Sequence, residues 1–447
     1  MPTSKKVITP EEKLHKRAIS AWTMYDWGNS AFVTTVMAAV LPVYYSTVAA
    51  GNLAPNIATA YWGFTSSISA LIAALISPVL GAVADFKGTK KRFLTIFMLI
   101  GVTATALLYL IQSGDWLLAS IFFVFGNVGF AGSLVYYDAL LPHVARPEEM
   151  DQVSSRGYAM GYIGGGLLLA VNLVMIMVVP GLVPSLDAGL MTRLSFVTVA
   201  IWWFVFTLPI LLRVKEPPRR IESSEVGFSP MKASFTRLFT TFKEIRKYRE
   251  LSMGLLAFWV YSNGIGTIIV MATIYGAELG FSQITLIGTL LMVQFLAAPF
   301  AFFFGWLSNK IGTKKSIYIS LSVYTLIAIA GYFLYHEWQF WVLGAAVATV
   351  QGGSQALSRS LIGKMIPKSK SAEFFGFFSV FEKFASILGP ALFAVVSTIM
   401  GESRLSIVSL IIFFIVGIFL LTKVNVEKGI AVAQKEEQEM IEVAEPA

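Results

Sequence analysis

Two stretches of this sequence repeat one pattern: residues 81–92 read GAVADFKGTKKR, and residues 305–316 read GWLSNKIGTKKS. Each follows a long apolar run and begins with glycine. An acid or amide stands four positions later, and a second glycine and two lysines follow. Because one spacing in two distant copies is typical of internal duplication, we expect the two halves of the chain to share one fold.

The composition is that of a membrane protein. Of 447 residues, 56% are hydrophobic and only 13% are charged, and the mean hydropathy is +0.71. So little polar surface cannot cover a soluble globule of this size. The sequence has no cysteine, and its three histidines, His15, His143 and His336, are far apart. This argues against an enzyme, a metal site or any bound cofactor.

Twelve apolar runs have the length of about 20 residues that crosses a bilayer as a helix. The sequence therefore predicts an all-helical integral membrane protein with twelve transmembrane helices in two pseudo-symmetric six-helix bundles. The runs lie near residues 20–48, 58–84, 93–112, 116–140, 155–180, 192–212, 251–277, 283–308, 315–335, 338–363, 373–400 and 404–422. The predicted segments are an N-terminal extension (1–19), a first bundle (20–212), a basic linker (213–250), a second bundle (251–422) and an acidic tail (423–447).

The two polar segments after the bundles have different characters. In the linker, Phe235, Leu238, Phe239 and Phe242 recur at helical spacing opposite basic residues, which predicts a surface helix against anionic lipid headgroups. The tail ends in acidic residues, and we expect it to be mobile.

Lysines and arginines concentrate in one set of loops. If the N-terminus is cytoplasmic, Arg193 and Arg404 are the only basic residues in the outer loops. The positive-inside rule then predicts that both termini are cytoplasmic, and we expect the protein to lie in a bacterial inner membrane. The net charge of +8 reflects this topology, so a nucleic-acid partner has no support, and an ATPase subunit is not implied. The inner loops hold Lys87, Lys90, Lys91, Arg92, Arg146, Lys310, Lys314, Lys315, Lys368 and Lys370.

The repeat extends beyond the two quoted strings. Gly81 and Gly305 are 224 positions apart, and Pro142 with Pro367 and Gly164 with Gly389 are each 225 apart. Spans 2–5 therefore recur as spans 8–11. Two six-helix repeats related by an axis normal to the membrane are the layout of the major facilitator superfamily.

The quoted strings also resemble that superfamily's inner-loop signature, Gly-x-Leu-x-Asp-x-x-Gly-Arg-Lys, with Val83 in place of leucine and Thr89 in place of the first basic residue. We expect Gly81 to let spans 2 and 11 approach closely, and Asp85 to sit at the N-terminal end of a neighbouring helix. Asn309 replaces the acid in the second copy, so its contact with span 5 should be weaker and largely independent of salt. The candidate inner-gate residues are Gly81, Asp85, Gly88, Lys90, Arg92, Asp138, Gly305, Asn309, Gly312 and Lys314.

Three further stretches give a closer resemblance: WTMYDWGNSAF (22–32), SSRGYAMGYIGGGLLL (154–169) and VQGGSQALSRSLIGKMIPKSKSAEFFGFFSVFEKFASILGPALF (350–393). Together they resemble the vacuole-effluxer-like branch of the superfamily, which includes a fungal vacuolar exporter of amino acids and many bacterial relatives. The resemblance implies a twelve-span carrier of small solutes.

Span 1 has polar residues inside the membrane. Asp26 lies about two turns in, and Asn29 shares its face. A carboxylate there must be paired, protonated or hydrated. Asp26 is therefore either a cavity-lining site for a proton or an amine, or an acid that balances Arg17, Arg156 or Arg359.

Span 10 carries Gln351, Gln355 and Arg359 at steps of four residues, which makes one polar stripe that must face protein or water. Arg359 either binds a substrate carboxylate with both arms of its guanidinium or pairs with Glu373 or Glu382. Asp138, at the inner end of span 4, is predicted to pair with Arg92 or Lys91 as a gate element, with substrate contact as the alternative.

In span 11, Glu382 and Lys383 are adjacent, so they point about 100° apart and need different partners. Glu382 facing the cavity and Lys383 facing a neighbouring helix is one arrangement, and the reverse is equally open. A buried carboxyl is the usual device for proton coupling.

Glycines recur in two spans. Gly157, Gly161 and Gly165 form a small-xxx-small ridge on span 5, which predicts close packing across the interface between the halves, near span 8. Gly389 and Pro390 in span 11 are the counterpart of this ridge.

These residues predict a secondary carrier that works by alternating access, with its cavity between the halves. We expect proton coupling and a small zwitterion as cargo, with Asp26 or Glu382 meeting its amine and Arg359 its carboxylate. The alternatives are a proton-coupled exporter of drugs or sugars and, less favoured, a non-transporting membrane protein such as a lipid scramblase.

Overall fold

The computed structural model describes residues 9–183, 185–221, 229, 232, 236, 239–240, 247–400 and 403–442. Of the residues on which the predicted surface helix rests, Phe235, Leu238 and Phe242 lie outside the described residues.

The described residues of the first half form six long helices. They are α1 (Pro10–Ala31), α2 (Pro55–Lys87), α3 (Lys90–Leu107), α4 (Trp116–Val144), α5 (Met150–Met177) and α6 (Ala188–Arg213). Helix α1 continues without a break through a π-helical segment, Phe32–Val40, a short α-helical stretch, Leu41–Tyr44, and a second π-helical segment, Tyr45–Ala49. A 3₁₀ turn, Leu108–Leu110, follows α3, and a short helix, Val179–Leu182, follows α5.

The second half repeats this arrangement. Its helices are α7 (Arg249–Glu278), α8 (Gln283–Ile311), α9 (Thr313–Tyr332), α10 (Glu337–Met365), α11 (Ser371–Met400) and α12, which comprises Ser403–Ser409 and Ile411–Thr422. A 3₁₀ turn, Lys368–Lys370, precedes α11.

Hydropathy separates α10 from the other long helices. Among the described residues, eleven helices are long and apolar enough to cross a membrane. Helix α10 is long enough, with 29 residues, but its polar stripe and its charged Arg359 and Lys364 lower its hydropathy. The predicted all-helical membrane fold is confirmed, and α10 is the predicted span whose polar residues weaken the apolar signal.

Packing within each half follows one scheme. In the first half, α1 packs on α5 and α6, and α3 packs on α4 and α6. In the second half, α7 packs on α11 and α12, and α9 packs on α10 and α12. Each of these four pairs in the first half has its equivalent six helices later, as the repeat in the sequence predicts.

The halves meet along two equivalent seams. One seam joins α2 and α4 to α11, and the other joins α8 and α10 to α5. We call the end of the molecule that carries the α2–α3, α4–α5, α8–α9 and α10–α11 connections the basic end, after its lysines and arginines. The segments that follow α6 and α12 also lie there.

The predicted glycine ridge packs in a different place. A Cβ atom on Gly161 would lie 2.5 Å from Ser30 Oγ, and one on Gly165 would lie 3.0 Å from the Ser30 carbonyl oxygen, so this face of α5 lies on α1. The prediction of packing near span 8 is wrong for this face, because α1 is the closer neighbour. Gly389 has the equivalent position in the second half, where it packs α11 on α7. Its N–H donates to Asn263 Oδ1 of α7 (3.2 Å). Pro390 lies within α11.

The described part of the acidic tail, residues 423–442, contains a packed helix, whereas the sequence predicted a mobile segment. Helix α13 (Val426–Glu439) packs on α10 and α7, and its Glu436 is only 2% exposed. A short strand after it, β2 (Ile441–Glu442), pairs antiparallel with β1 (Arg220–Ile221) of the linker. The prediction failed because Glu436 forms a buried ion pair with Lys370 and Glu437 pairs with Arg220.

Candidate functional site

Arg359 of α10 lies at the centre of a charged cluster between the halves. Its Nη1 donates to Asp138 Oδ1 of α4 (3.0 Å), and its Nη1 and Nη2 each lie 3.5 Å from Asp26 Oδ2 of α1. Its Nε and Nη2 donate to the Ser154 hydroxyl and carbonyl of α5, both at 2.9 Å. One residue of the second half therefore connects three helices of the first. The fork of a guanidinium suits this task, because it presents several donors in fixed directions.

Aromatic rings surround this cluster. The Tyr137 hydroxyl donates a hydrogen bond to Asp26 Oδ2 (2.7 Å), and its ring stacks on Trp22 with ring centroids 4.2 Å apart. The guanidinium carbon of Arg359 lies 4.4 Å from the ring centroid of Tyr158 and 5.0 Å from that of Trp22. Arg359 is only 2% exposed. The rings replace water around the cation, and their faces attract its positive charge.

Gly157 makes room for the cluster. A Cβ atom at this position would lie 2.6 Å from Asp26 Oδ2 and 2.9 Å from Arg359 Nη2. The first glycine of the α5 ridge therefore lets α5 approach an ion pair as well as a helix backbone.

The cluster has more acids than bases. Asp26 and Asp138 share the single guanidinium of Arg359, so two ionised carboxylates leave one negative charge in excess. Charge in the membrane interior is costly unless it is offset. A proton or a substrate cation could supply the missing positive charge.

The structure selects among the pairings that the sequence left open. Arg359 pairs with carboxylates, but these are Asp26 and Asp138 instead of Glu373 or Glu382. The predicted pairing of Asp138 with Arg92 or Lys91 is wrong, because α4 directs Asp138 toward α10. Arg92 is exposed at the start of α3.

A cavity of about 140 Å³ lies beside this cluster, lined by residues of α5, α7, α10 and α11. Glu382 is exposed to it, and Tyr158 lines both the cavity and the guanidinium of Arg359. Lys383 points elsewhere, with its Nζ 6.0 Å from the Phe130 ring centroid of α4. Of the two arrangements of Glu382 and Lys383, the structure has the carboxylate facing the cavity.

The remaining polar candidate residues lie in three different places. Gln355 lines the same cavity and accepts a hydrogen bond from Tyr162 of α5 (2.8 Å). Gln351 lines a second, largely apolar cavity of about 110 Å³ inside the second bundle. Asn29 is buried, and its Oδ1 lies 3.5 Å from Ser30 Oγ.

The first copy of the repeated string closes the α2–α11 seam at the basic end. A Cβ atom on Gly81 would lie 2.2 Å from the Ala372 carbonyl oxygen, so only glycine allows this approach. Asp85 Oδ2 accepts a hydrogen bond from the Glu373 N–H in the first turn of α11 (2.8 Å), and Asp85 Oδ1 pairs with Lys90 Nζ (2.6 Å). Gly88 ends α2 with φ of 64°, a left-handed conformation that favours glycine. The predicted contacts of Gly81 and Asp85 are confirmed.

The second copy closes the α5–α8 seam with different chemistry. A Cβ atom on Gly305 would lie 2.8 Å from Ser155 Cβ of α5. Asn309 is exposed, and Gly312 turns the chain between α8 and α9 with φ of 92°. Lys314 Nζ donates to the Val424 carbonyl oxygen after α12 (2.7 Å).

The acid of this second seam is Asp151, which sequence reasoning missed. It pairs with Lys364 Nζ of α10 (2.8 Å), accepts from Thr313 Oγ1 of α9 (2.7 Å) and also accepts from Ser360 Oγ. Contrary to expectation, this seam therefore contains an ion pair. The available signal was an acid in the first turn of α5 together with a lysine in the last turn of α10.

Comparisons with known proteins agree with this architecture. Residues 14–434 match the family model described as "Vacuole effluxer Atg22 like". The chain is 38% identical to an uncharacterized MFS-type transporter, YxiO, of Bacillus subtilis (strain 168), over 93% of this chain and 97% of that protein. It is 23% identical to autophagy-related protein 22-1 of Penicillium rubens, over 93% and 90% of the two chains.

Two solved structures of transporters share this fold, one of them described as a member of the major facilitator superfamily (MFS). The proton:xylose symporter XylE aligns with a TM-score of 0.69 at 14% identity, over 95% of this chain and 98% of that one. The human organic anion transporter MFSD10 aligns with a TM-score of 0.68 at 13% identity, over 91% and 99%. At this identity the likeness shows the fold alone. With the match along residues 14–434, the chain belongs to the vacuole effluxer Atg22-like family of major facilitator superfamily transporters.

Proposed function

We propose that this MFS transporter is a proton-coupled exporter of small amine-bearing solutes, amino acids among them. The observation that carries the proposal is the sharing of one guanidinium, that of Arg359, by Asp26 and Asp138 across the interface of the halves. We further propose that it works in the bacterial inner membrane with both termini in the cytoplasm.

The coupling step follows from the position of Arg359. The basic end is closed by the two seams, and opening it moves α10 away from α4 and α5. Arg359 then leaves Asp26 and Asp138, and their charges must be offset in another way because the membrane interior penalises them. A proton carried in from the outer side, or the ammonium of a cytoplasmic substrate that displaces it, provides the offset. Closing the basic end returns Arg359 and releases the substrate cation toward the outer side.

The cavity supports a substrate with an amine. Glu382 offers a carboxylate, and Tyr158, Tyr261 and Phe258 provide aromatic rings, whose faces attract cations. A substrate carboxylate can reach Arg359 only when the basic end is open, because the guanidinium otherwise donates to Ser154, Asp26 and Asp138. A zwitterion therefore fits the open state best. The family's description as effluxers supports export.

Counterflow of labelled amino acids in proteoliposomes tests the proposal, with and without a pH gradient. We expect saturable exchange that the gradient accelerates. Asp26→Asn and Asp138→Asn should retain counterflow but lose the acceleration, since exchange needs no net proton movement. Glu382→Gln should reduce exchange, and Glu278→Gln, an exposed acid at the end of α7, is the matched control.

The outcomes separate the parts of the proposal. If folded protein exchanged none of a broad panel of amino acids, the result would contradict the proposal that amino acids are the cargo. An unchanged response to the pH gradient in both aspartate variants would contradict the coupling site.

The apolar cavity of the second bundle favours hydrophobic solutes as a second candidate cargo. Its lining is mostly aliphatic and aromatic, and the polar exceptions are Gln294, Gln351, Thr267, Thr273 and Thr289. Uptake of a lipophilic cation in the same proteoliposomes, with no competition from amino acids, would support this alternative.

A further inference from the structure

We propose that the linker segment 214–221 and the tail 424–442 form a clasp that keeps the basic end of the transporter closed. The clasp joins the two halves outside the membrane-spanning helices. It is independent of the cargo proposed above.

The linker part of the clasp is fixed to the first half. Arg219 Nε donates to the Phe86 carbonyl oxygen at the end of α2 (2.7 Å), and its guanidinium carbon lies 4.8 Å from the Phe86 ring centroid. Glu216 Oε2 accepts from the Lys91 N–H at the start of α3 (2.9 Å). The linker therefore lies directly on the repeated string of residues 81–92.

The tail part is fixed to the second half. Glu436 of α13 is 2% exposed and pairs with Lys370 Nζ (2.7 Å), while Lys370 is 3% exposed. Lys247 Nζ (3.1 Å) and the Tyr248 hydroxyl (2.6 Å) also contact Glu436. Lys370 lies directly before α11, whose Glu373 N–H binds Asp85 of the first half. Buried charges as well paired as these are costly to separate.

Among the described residues, two contacts join linker segment 214–221 to the tail. Arg220 Nη1 pairs with Glu437 Oε1 (2.6 Å), and strands β1 and β2 pair antiparallel. Glu437 Oε2 also accepts from the Ser369 N–H of the α10–α11 connection (2.9 Å). Opening the basic end separates the α2–α3 connection from the α10–α11 connection. The linker follows one and the tail follows the other, so the pairing between them must break before the end can open.

Spin-label distances test the clasp without a known substrate. The sequence has no cysteine, so Glu148→Cys in the first half and Lys315→Cys in the second, both exposed, report the width of the basic end. A second pair, Lys215→Cys with Glu439→Cys, reports tail docking. The measurement uses the full-length protein in nanodiscs.

The clasp variant is Glu436→Gln with Glu437→Gln. We expect the population with a wide basic end to rise about tenfold, which corresponds to about 1.4 kcal/mol. For the Glu148/Lys315 label pair, Glu427→Gln with Glu439→Gln is the matched control, since it removes two exposed acids from the same helix and should change nothing.

Two results would overturn the clasp. One is a basic-end distance in the clasp variant that equals that of the control. The other is release of the tail from the linker while the basic end stays closed. If the clasp variant does not fold, Arg220→Gln removes the bridge from the linker side, where the side chain is 32% exposed, and the same two results decide.

Discussion

The carboxylate of Asp85 in α2 accepts a hydrogen bond from the backbone N–H of Glu373 at the start of α11. The contact joins the halves through a side chain on one side and a helix terminus on the other. Four N–H groups at the start of any helix lack partners within it, and the helix dipole favours an anion there. The first repeated string therefore supplies the carboxylate, and the N-terminus of α11 supplies the N–H group that donates to it.

Replacing Asp85 with asparagine should weaken the closed state. The Glu373 N–H can still donate to an amide oxygen, but Lys90, only 3% exposed, loses its ion pair. Breaking a buried pair costs about 3–5 kcal/mol. Maleimide labelling of a single cysteine at the buried Ser77 should become faster from the basic end. Lys87→Gln, an exposed charge change on the same helix, should leave the rate unchanged, and an equal rate in both variants would contradict the gate role.

Gly157→Ala should destabilise the protein by about 1–3 kcal/mol, the usual cost of overpacking. The new methyl group would overlap Asp26 Oδ2 and Arg359 Nη2, so the ion pair must move. Thermal unfolding in detergent, followed by tryptophan fluorescence, measures the loss. Gly63→Ala is the control, because nothing lies within 4 Å of its new Cβ and alanine favours a helix. A Tm for Gly157→Ala at or above that of Gly63→Ala would count against this account.

Arg359→Gln should be among the most destabilising single substitutions in the protein. It leaves Asp26 and Asp138 without their guanidinium, and removing one partner of a buried ion pair costs about 3–5 kcal/mol. Adding Asp26→Asn and Asp138→Asn to Arg359→Gln should recover part of this loss, because the uncompensated charges disappear. Unfolding temperatures of the single and triple variants give the answer. No recovery in the triple variant would mean that packing of the arginine, and not charge, dominates.

The tail should undock in acid. Burial raises the pKa of Glu436, but the charge of Lys370 and the hydrogen bonds from Lys370, Tyr248 and Lys247 together outweigh burial and hold this pKa below its usual 4.5. Because the docked pKa is the lower one, the pairing stabilises docking above the usual value and is lost as pH falls through the docked pKa. The Lys215/Glu439 label pair should therefore separate on titration from neutral pH to about pH 3. Glu436→Gln should abolish this transition, and a transition that persists in the variant would show that another group titrates.

The sequence predicts the fold well because two strong signals agree. Apolar runs long enough for a bilayer give the helices, and the offset between Gly81 and Gly305 gives the duplication. Neither signal depends on side-chain partners. Helix α10 shows the limit, since its polar stripe lowers the signal that defines a span, although the same stripe marked it as functional.

The sequence identified the residues of the candidate site but only some of the partners with which they interact. Asp26, Asp138 and Arg359 stood out because charge inside a membrane needs an explanation. Their mutual pairing depends on how α1, α4 and α10 converge, which no spacing along one helix reveals. Asp151 and Glu436 were missed for a related reason: at helix ends and in tails an acid usually faces water, and only the packing of another segment shows that it is buried.

The π-helical segments of the first span affect how its mutants should be interpreted. A π-helical hydrogen bond closes a larger ring than an α-helical one, so each residue advances through a smaller angle. A wheel drawn with 3.6 residues per turn is valid from Pro10 to Ala31. Beyond Phe32 it loses phase, and positions that share a face with Asp26 in the drawing turn away from it in the molecule. A cysteine or alanine scan of this helix should therefore show two periodicities, with the change at Phe32.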